Sequence, residues 1–175
     1  ASIGKTATKD ENGPQGLTAA LTGGASAMCY TSEDVMAATF NVDLINEVGR
    51  CIGEDCLAMG YSGLYGPGIN MHRTAYSGRN FEYYSEDPFV AGTICAAEVQ
   101  GIQSKGVYVY LKHVALNDSE TSRRGVNTWL NEQTAREIYL EVADKAITDG
   151  GAWSVMTGFN RWGATWCGAN ANLLT

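Results

Sequence analysis

Residues 66–88 read GPGINMHRTAYSGRNFEYYSEDP and residues 106–117 read GVYVYLKHVALN, and these two stretches carry most of the fold prediction. In both, polar loops adjoin apolar runs that are too short to be anything but buried strands. The polar and charged side chains on these loops are His72, Arg79, Glu82, Glu86, Asp87, Lys112 and His113. Because α/β scaffolds place functional side chains at the ends of strands, the pattern predicts a small-molecule site.

Helix and strand patterns alternate along the chain. Strands are predicted at 64–65, 107–111 and 153–157, with room for a fourth near the N-terminus. Helices are predicted to begin near Thr31 and to run from Asn41 to Gly60, from Asp87 to Ser104 and from Asn131 to Ile147. The sequence before Thr31 is rich in glycine, threonine and alanine, which predicts a loop. Helices of this length between strands imply parallel strands with crossover connections.

The helix predictions rest on capping residues and on apolar stripes. Ser32 and the acids after it, and the pair Asp87-Pro88, have the pattern of helix starts. One stripe consists of Leu44, Ile45, Val48, Ile52 and Cys56. The other consists of Ala135, Ile138, Tyr139, Val142, Ala143, Ala146 and Ile147. Each stripe predicts one buried helix face.

Chain length narrows the choice of α/β architecture. Periodicity alone does not separate a barrel from a doubly wound sheet. A complete eight-stranded barrel takes roughly 200 residues at minimum, and this chain has 175. We therefore expect that a barrel, if present, is incomplete.

Composition excludes several classes of partner. The chain is 45% hydrophobic, which allows a substantial core in one domain or part of one. Twelve basic and nineteen acidic residues give a net charge of −7, without an extended basic cluster, so nucleic-acid binding is not expected. No apolar run approaches the roughly 18 residues that a membrane span needs.

The five cysteines are read as free thiols. Their number is odd, they contain no CxxC pair, and several lie in apolar helical settings, which favours buried thiols and a reducing compartment such as the cytoplasm. With two histidines and no ligand-like spacing, no metal site is expected. The N-terminal residues show neither a signal-peptide pattern nor an element start, so the chain is expected to begin inside a longer protein.

An ordered set of motifs resembles the N-terminal barrel domain of glycoside hydrolase family 3, the β-glucosidase and β-xylosidase family. The motifs are GPGINMHR at 66–73, GRNFEYYSEDP at 78–88, the pair Lys112-His113 in LKHVALND, ETSR at 120–123, REIYL at 136–140 and VMTGFN at 155–160. ENGPQGLT at 11–18 is similar to the DGPxG loop of the family. The order and spacing of the whole set are far more specific than any one motif. The resemblance implies an α/β fold, a partial TIM-type (β/α) barrel in which parallel strands alternate with helices.

The resemblance implies a retaining hydrolase acting on terminal, non-reducing β-linked sugars, most simply β-glucosyl residues. Such a reaction needs two carboxyl groups about 5 Å apart. In the family the nucleophile follows a segment like Leu173-Leu174-Thr175, and the acid/base residue comes from a second domain. Residues 1–175 are therefore expected to be part of one catalytic barrel, truncated before the nucleophile strand. No catalytic residue, metal or cofactor is assigned, and the fragment alone is expected to be inactive.

The resemblance assigns sugar contacts to Arg79, Lys112 and His113. A guanidinium fork suits adjacent sugar hydroxyls, although a salt bridge from Arg79 to Glu82, Glu86 or Asp87 is the simpler alternative. Strand alternation points Lys112 and His113 in different directions unless the strand bends.

Further roles are implied for residues around this set. Met156 is expected to line the pocket floor, and Phe159 either lies near the pocket or packs in the core. His72 and Arg73 are expected to brace the loop, and Glu120 and Arg123 to form a supporting ion pair.

Asn12 departs from the family pattern, which has an aspartate before Gly-Pro. An amide has one acceptor and one donor group, whereas a carboxylate offers two charged acceptors, and charge-assisted hydrogen bonds are roughly twice as strong. We keep Asn12 as a candidate sugar-binding residue with weaker or altered affinity. The alternative is that Asn12-Gly13 is simply a turn pair.

Two other function classes stay open. One is a catalytically inactive relative that binds carbohydrate, or a structural fragment; an open half-barrel exposes strand edges and should associate with the rest of its polypeptide or with a partner chain. The other is an unrelated α/β domain. The substrate is expected to be a β-linked oligosaccharide or an aryl or alkyl β-glycoside. The sequence does not distinguish a terminal glucosyl group from a xylosyl group. N-acetylglucosamine is disfavoured because the N-acetylglucosaminidase branch of the family has a histidine-containing loop that is not seen here.

Overall fold

The computed structural model describes residues 3–21 and 26–175. Its helices are α1 (Thr18–Leu21), α2 (Glu33–Ala37), α3 (Val42–Ala58), α4 (Pro88–Gln103), α5 (Glu132–Thr134), α6 (Glu141–Thr148) and α7 (Ala171–Leu174), with 3₁₀ turns at Asn80–Glu82 and Cys167–Ala169 and a π-helical segment at Ala135–Leu140. Its strands are β1 (Asp10–Asn12), β2 (Gly63–Tyr65), β3 (Tyr108–Val114), β4 (Asn127–Thr128), β5 (Ser154–Thr157), β6 (Arg161–Trp162) and β7 (Thr165–Trp166). Within the described ranges, no helix combines the length and the apolar character that a bilayer span requires.

Four parallel strands form the main sheet, in the order β1-β2-β3-β5. Because the strands are parallel, their carboxyl ends meet at one edge, the edge at which barrels place their sites. The strand expected near the N-terminus is β1. The prediction of a loop before Thr31 was wrong for β1 and for α1, which both lie in that segment. Crossover helices and parallel strands form an open part of a (β/α) barrel, as predicted.

Helices α3 and α4 approach closely because glycines line their contact. A Cβ added at Gly49 would lie 2.4 Å from the carbonyl oxygen of Glu98, and one added at Gly101 would lie 2.2 Å from that of Asn46. Neither position has room for a side chain, so the backbones themselves set the distance between the two helices.

The buried face of α3 differs slightly from the predicted stripe. Ile45, Ile52 and Cys56 are buried in the core, as expected. Leu44 is 47% exposed, so its assignment to the stripe was wrong. Leu44 lies in the first turn, where its backbone N–H bonds to the Asn41 side chain and the helix has only begun to cover the sheet.

Helix starts were predicted with mixed success. The side chains of Asn41, Asp87 and Asn131 each accept a hydrogen bond from a backbone N–H in the first turn, so these three starts are confirmed. The side chain of Ser32 makes no capping hydrogen bond, so the predicted hydroxyl cap there was wrong.

The last predicted helix, from Asn131 to Ile147, is not uniform. A π-helical segment at Ala135–Leu140 separates α5 from α6, and Ile147 is 44% exposed. Beyond this segment Val142, Ala143 and Ala146 are buried as the stripe predicted, so the stripe was wrong only at Ile147, next to the end of α6 at Thr148.

A second, smaller sheet has no counterpart in the sequence prediction. It contains β4, β6 and β7, of which β6 and β7 are antiparallel. Gly163 has a φ of 59° in the turn between them. Strands of two residues carry no readable alternation, so only tertiary structure reveals them.

The cysteines are all free, as the odd count suggested. Cys56, Cys95 and Cys167 are buried, which confirms the expectation for three of them. Cys51 is half-buried and Cys29 is exposed, so the expectation was wrong for Cys29.

We expect Gly101→Ala to destabilise the chain by about 1–3 kcal/mol, even though alanine has the higher helix propensity, because its Cβ has no space against α3. Gly92→Ala in the same helix is the matched control, since the three atoms nearest to a Cβ there all belong to the Lys145 side chain, whose Cδ at 2.7 Å can move, whereas at Gly101 they are backbone atoms. Urea unfolding followed by circular dichroism measures both. Equal stability of the two variants would contradict the close backbone contact.

Candidate functional site

Lys112 and His113 lie within β3 near the carboxyl edge of the sheet, and not after the strand as predicted. Their exposed fractions are only 3% and 4%. The register between β3 and β5 shifts between Lys112 and Val114, which interrupts the regular alternation of side chains. Both residues are therefore buried, although neighbours on a regular strand point to opposite faces.

The Lys112 ammonium group joins three elements. Its Nζ lies 2.7 Å from Oδ1 of Asn12 at the end of β1, and 3.0 Å from Oε2 of Glu82 on the loop after β2. Burial lowers the pKa of Lys112, and the Glu82 carboxylate opposes that shift. The amide nitrogen of Asn12 donates to Thr18 Oγ1 at 2.9 Å, which orients its oxygen toward Lys112.

Arg79 is held by two carboxylates. Its Nε pairs with Glu82, and its Nη1 lies 3.3 Å from Oε1 of Glu120. The salt-bridge alternative is therefore confirmed for Glu82, which also binds Lys112. A sugar contact from the remaining guanidinium donors stays a prediction.

The predicted ion pair between Glu120 and Arg123 is confirmed, with Nη1 of Arg123 2.9 Å from Oε2 of Glu120. The Arg123 guanidinium lies 4.9 Å from the ring centroid of Phe159. Phe159 is 44% exposed, so the core-packing alternative was wrong. A guanidinium over an aromatic face is a favourable cation–π contact, and it holds Phe159 at the rim of this charged cluster.

A continuous chain of side chains results: Asn12, Lys112, Glu82, Arg79, Glu120 and Arg123. Its three cations and two carboxylates leave a charge of 3 − 2 = +1. Such a surplus of N–H donors suits hydroxyl oxygens as ligands. Over residues 3–21 and 26–175, no group of three or more His, Cys, Asp or Glu side chains is arranged to hold a metal ion.

His113 is fixed by Asn70, a residue that the sequence prediction missed. Asn70 Oδ1 lies 3.0 Å from both the backbone nitrogen and Nδ1 of His113, and Asn70 Nδ2 donates to the His113 carbonyl at 3.1 Å. Because the amide oxygen accepts, Nδ1 carries the proton and Nε2 is left as an acceptor. Burial, with Arg79 and Lys112 nearby, lowers the pKa of His113 to about 3.

Met156 and His72 complete the predicted set. Met156 is the β5 partner of Lys112 and is half-buried, beside the charged cluster. The bracing role of His72 is confirmed, since its Nε2 lies 2.9 Å from the carbonyl oxygens of both Asn80 and Tyr83. Arg73 lies 5.7 Å from the ring centroid of Tyr139 in the π-helical segment.

A groove of about 600 Å³ lies away from this cluster, between the loop after β2 and the π-helical segment. Its lining includes His72, Arg73 and Glu86 but not Arg79, Lys112 or His113. The charged cluster is therefore the candidate site, and the groove is a separate feature of the surface.

The sequence profile of the glycosyl hydrolase family 3 N terminal domain matches residues 15–175. The chain belongs to glycosyl hydrolase family 3. The match includes strands β2 to β7 and all of the charged cluster except Asn12, which lies in β1 before the first matched residue.

Relatives in this family share a third or more of the residues. Thermostable beta-glucosidase B of Acetivibrio thermocellus is 40% identical over 149 residues, which are 85% of this chain and 20% of that protein. An exo-alpha-(1->6)-L-arabinopyranosidase of Bifidobacterium longum is 34% identical over 173 residues, 94% of this chain and 23% of that protein. The chain thus spans about a fifth of the length of these relatives.

Solved structures of the family superpose closely. β-Glucosidase 3B from Thermotoga neapolitana in complex with α-D-glucose gives a TM-score of 0.92 at 36% identity, over 99% of this chain and 25% of that one. A β-glucosidase from Paenibacillus barengoltzii gives a TM-score of 0.92 at 34% identity, over 96% of this chain and 18% of that one. These likenesses confirm the predicted family and the partial barrel fold.

We expect Glu82→Gln to lower the free energy of unfolding by roughly 3–5 kcal/mol, because Lys112 and Arg79 lose their shared counter-charge while buried. Urea unfolding measures the change. Glu132→Gln is the control, since it removes an exposed ion pair to Arg136 and should change stability by less than about 1 kcal/mol. A Glu82→Gln variant as stable as this control would show that the buried charges do not depend on Glu82.

His113 is expected to stay neutral from about pH 5 to about pH 8, with its proton on Nδ1, because burial and three neighbouring cations oppose a further positive charge. Nitrogen-15 NMR of labelled histidine measures both the charge and the tautomer. The chain has two histidines, so His72→Gln and His113→Gln variants assign the signals. Titration of His113 near its ordinary pKa of about 6.5 would contradict the buried geometry.

Proposed function

We propose that this chain forms the glycone-binding part of a retaining glycoside hydrolase of the β-glucosidase type, which removes terminal non-reducing β-D-glycosyl residues. The observation that carries the proposal is the convergence of Asn12, Lys112, Arg79 and His113 at the carboxyl edge of the parallel sheet. Family membership and β-glucosidase relatives support the reaction class.

The cluster has the hydrogen-bonding groups that a pyranose requires. Sugar hydroxyls both donate and accept, so a complementary site needs both kinds of partner. Lys112 and Arg79 have charged N–H donors, and the unprotonated Nε2 of His113 is an acceptor. Met156 adds a half-buried apolar surface next to Lys112, which suits the C–H face of a sugar ring.

We place the nucleophile and the acid/base residue outside residues 1–175. A retaining reaction needs two carboxyl groups about 5 Å apart, one to attack the anomeric carbon and one to protonate the leaving oxygen. The carboxylates of the cluster, Glu82 and Glu120, are instead neutralised by cations. On this proposal the chain is one part of a barrel completed by the rest of its polypeptide or by a partner chain.

The proposed substrates are β-linked oligosaccharides and aryl or alkyl β-glycosides. One relative is an exo-alpha-(1->6)-L-arabinopyranosidase, so the proposal extends to terminal pyranosyl groups in general. The contacts described here reach sugar hydroxyls and ring surface, and the leaving group lies beyond them.

Hydrolysis of a chromogenic β-glucoside tests the proposal, with the chain alone and after adding the remaining domains of a family 3 enzyme. We expect activity only in the reconstituted sample. Activity of the chain alone would overturn the placement of the catalytic carboxylates. Sugar binding without turnover in both samples would favour the alternative of a non-catalytic carbohydrate-binding protein.

We expect Asn12→Asp to strengthen glucose binding about tenfold. The carboxylate adds a second, charged acceptor for sugar hydroxyls, and Lys112 at 2.7 Å stabilises its charge. Isothermal titration calorimetry of the reconstituted protein measures the dissociation constant. Asn172→Asp, which places the same charge in the short helix α7, should leave it unchanged. Weaker or unchanged binding by Asn12→Asp would remove Asn12 from the site.

A further inference from the structure

Two buried glutamates lie behind the charged cluster and have no role in the proposed sugar contacts. Glu33 belongs to α2 and Glu98 to α4, and the exposed fraction of each is 0%. Glutamate is rarely buried completely unless it is paired with a cation. Neither forms a salt bridge among the described residues, so both require an explanation.

Each of these carboxyl groups accepts a hydrogen bond through only one of its two oxygens. Glu33 Oε1 accepts a hydrogen bond from the backbone N–H of Gly68 at 3.2 Å, and Glu98 Oε2 accepts one from the Tyr84 hydroxyl at 2.7 Å. The other oxygens, Glu33 Oε2 and Glu98 Oε1, are buried without a partner. An ionised carboxylate with an unsatisfied buried oxygen is costly, whereas a protonated one becomes a donor.

The surroundings do not compensate two negative charges. Among the titratable and charged groups near the pair, Glu82 opposes negative charge on Glu33 and Lys112 favours it. The Tyr84 hydroxyl, which donates to Glu98, favours the ionised form of Glu98, and burial raises the pKa of the nearby Cys95 thiol, which adds no charge. Lys112 is already paired with Glu82. Burial, followed by the Glu98 charge, raises the pKa of Glu33, and burial raises the pKa of Glu98 to about 7.

Glu33 contacts the segment that holds Lys112. Gly68, which donates to Glu33, lies between Pro67 and Ile69. The backbone N–H of Lys112 donates to the Pro67 carbonyl at 3.1 Å, and the Ile69 N–H donates to the Lys112 carbonyl at 2.6 Å. An added Cβ at Gly68 would lie 1.9 Å from the Glu82 carbonyl oxygen and 3.1 Å from Glu33 Oε2, so this segment has no freedom to shift.

We propose that Glu33 and Glu98 form a carboxyl pair that keeps at least one proton at neutral pH, and that this partly neutral pair positions residues 66–69 and, through them, Lys112. Both glutamates are positioning residues: Glu33 acts through its hydrogen bond to the Gly68 backbone, and Glu98 acts through its charge on Glu33. The proposal concerns the protonation of the pair and stands apart from the proposed function, except for the sugar-binding experiment below.

The pH dependence follows from the direction of the pKa shifts. A carboxyl group whose pKa rises on folding binds more protons in the folded state, so its contribution to stability falls as pH rises. For Glu98 the window runs from the ordinary pKa of 4.5 to about 7. The contribution of Glu98 to the stability of the fold is fully present below this pH range and is lost above it.

Infrared spectroscopy of the intact protein detects the proton directly. We expect an absorption of un-ionised carboxyl at neutral pH that is present in the wild type, lost or reduced in Glu33→Gln and Glu98→Gln, and retained in the control Glu137→Gln, whose glutamate is exposed. If a variant fails to fold, the wild-type spectrum still tests the proposal: its un-ionised band must disappear at alkaline pH and must survive Asp118→Asn, which removes the other carboxyl group whose pKa is raised by burial. Absence of that band in the wild type at neutral pH would overturn the proposal.

Thermal unfolding at about pH 5 and about pH 8 is the second measurement. We expect the wild-type Tm to fall more with rising pH than that of Glu98→Gln, by roughly 5 °C or more, because glutamine stays neutral across this range. The Glu137→Gln control should follow the wild type. Superimposable profiles of wild type and Glu98→Gln would count against the pair.

Glucose binding across the same pH range tests the link to Lys112, and this step rests on the proposed function. We expect the wild-type affinity to weaken as pH rises, and the affinity of Glu98→Gln to change less. Equal pH profiles would overturn the link to Lys112. No glucose binding at any pH would instead count against the proposed function, while the infrared result still decides the protonation of the pair.

Discussion

The buried ammonium group of Lys112 is the interaction on which the rest of the site depends. A cation with almost no exposure is tolerated only where counter-charge and acceptors surround it. Glu82 and Asn12 meet that need, and they come from the loop after β2 and from the end of β1. The Lys112 side chain therefore connects β3 with the end of β1 and with the loop after β2, at the carboxyl ends of three neighbouring strands.

The same constraint explains why the charged residues alternate in sign. Glu82 neutralises both Lys112 and Arg79, and Glu120 then holds Arg79 against Arg123. Each guanidinium is fixed in orientation by a carboxylate, so its remaining donors are directed before any ligand arrives. Preorganised donors of this kind bind without a large entropic cost of ordering side chains. Glu33 and Glu98 are fully buried, and Glu33 meets the cluster through the Gly68 backbone, next to the segment bonded to Lys112.

Prediction from sequence succeeded where a local signal was strong. The caps at Asp87 and Asn131 and the β-branched run in β3 predicted real elements, because local hydrogen bonding and side-chain period act within a few residues. Prediction failed at the π-helical segment, whose irregular turn no spacing rule reports. It also failed for the two-residue strands β4, β6 and β7, and for Asn70, whose role depends on its distance from His113.

The amino-acid sequence by itself determined the family, the parallel α/β architecture and the identity of the candidate site side chains, because ordered motifs and periodic apolar residues are properties of the chain as written. Only the tertiary structure decided which charges pair, that Asn70 sets the tautomer of His113, and that Glu33 and Glu98 are both fully buried. Ion pairing, burial and pKa depend on distances between residues far apart in the chain, such as Asn12 and Lys112. Those distances exist only after the strands have assembled.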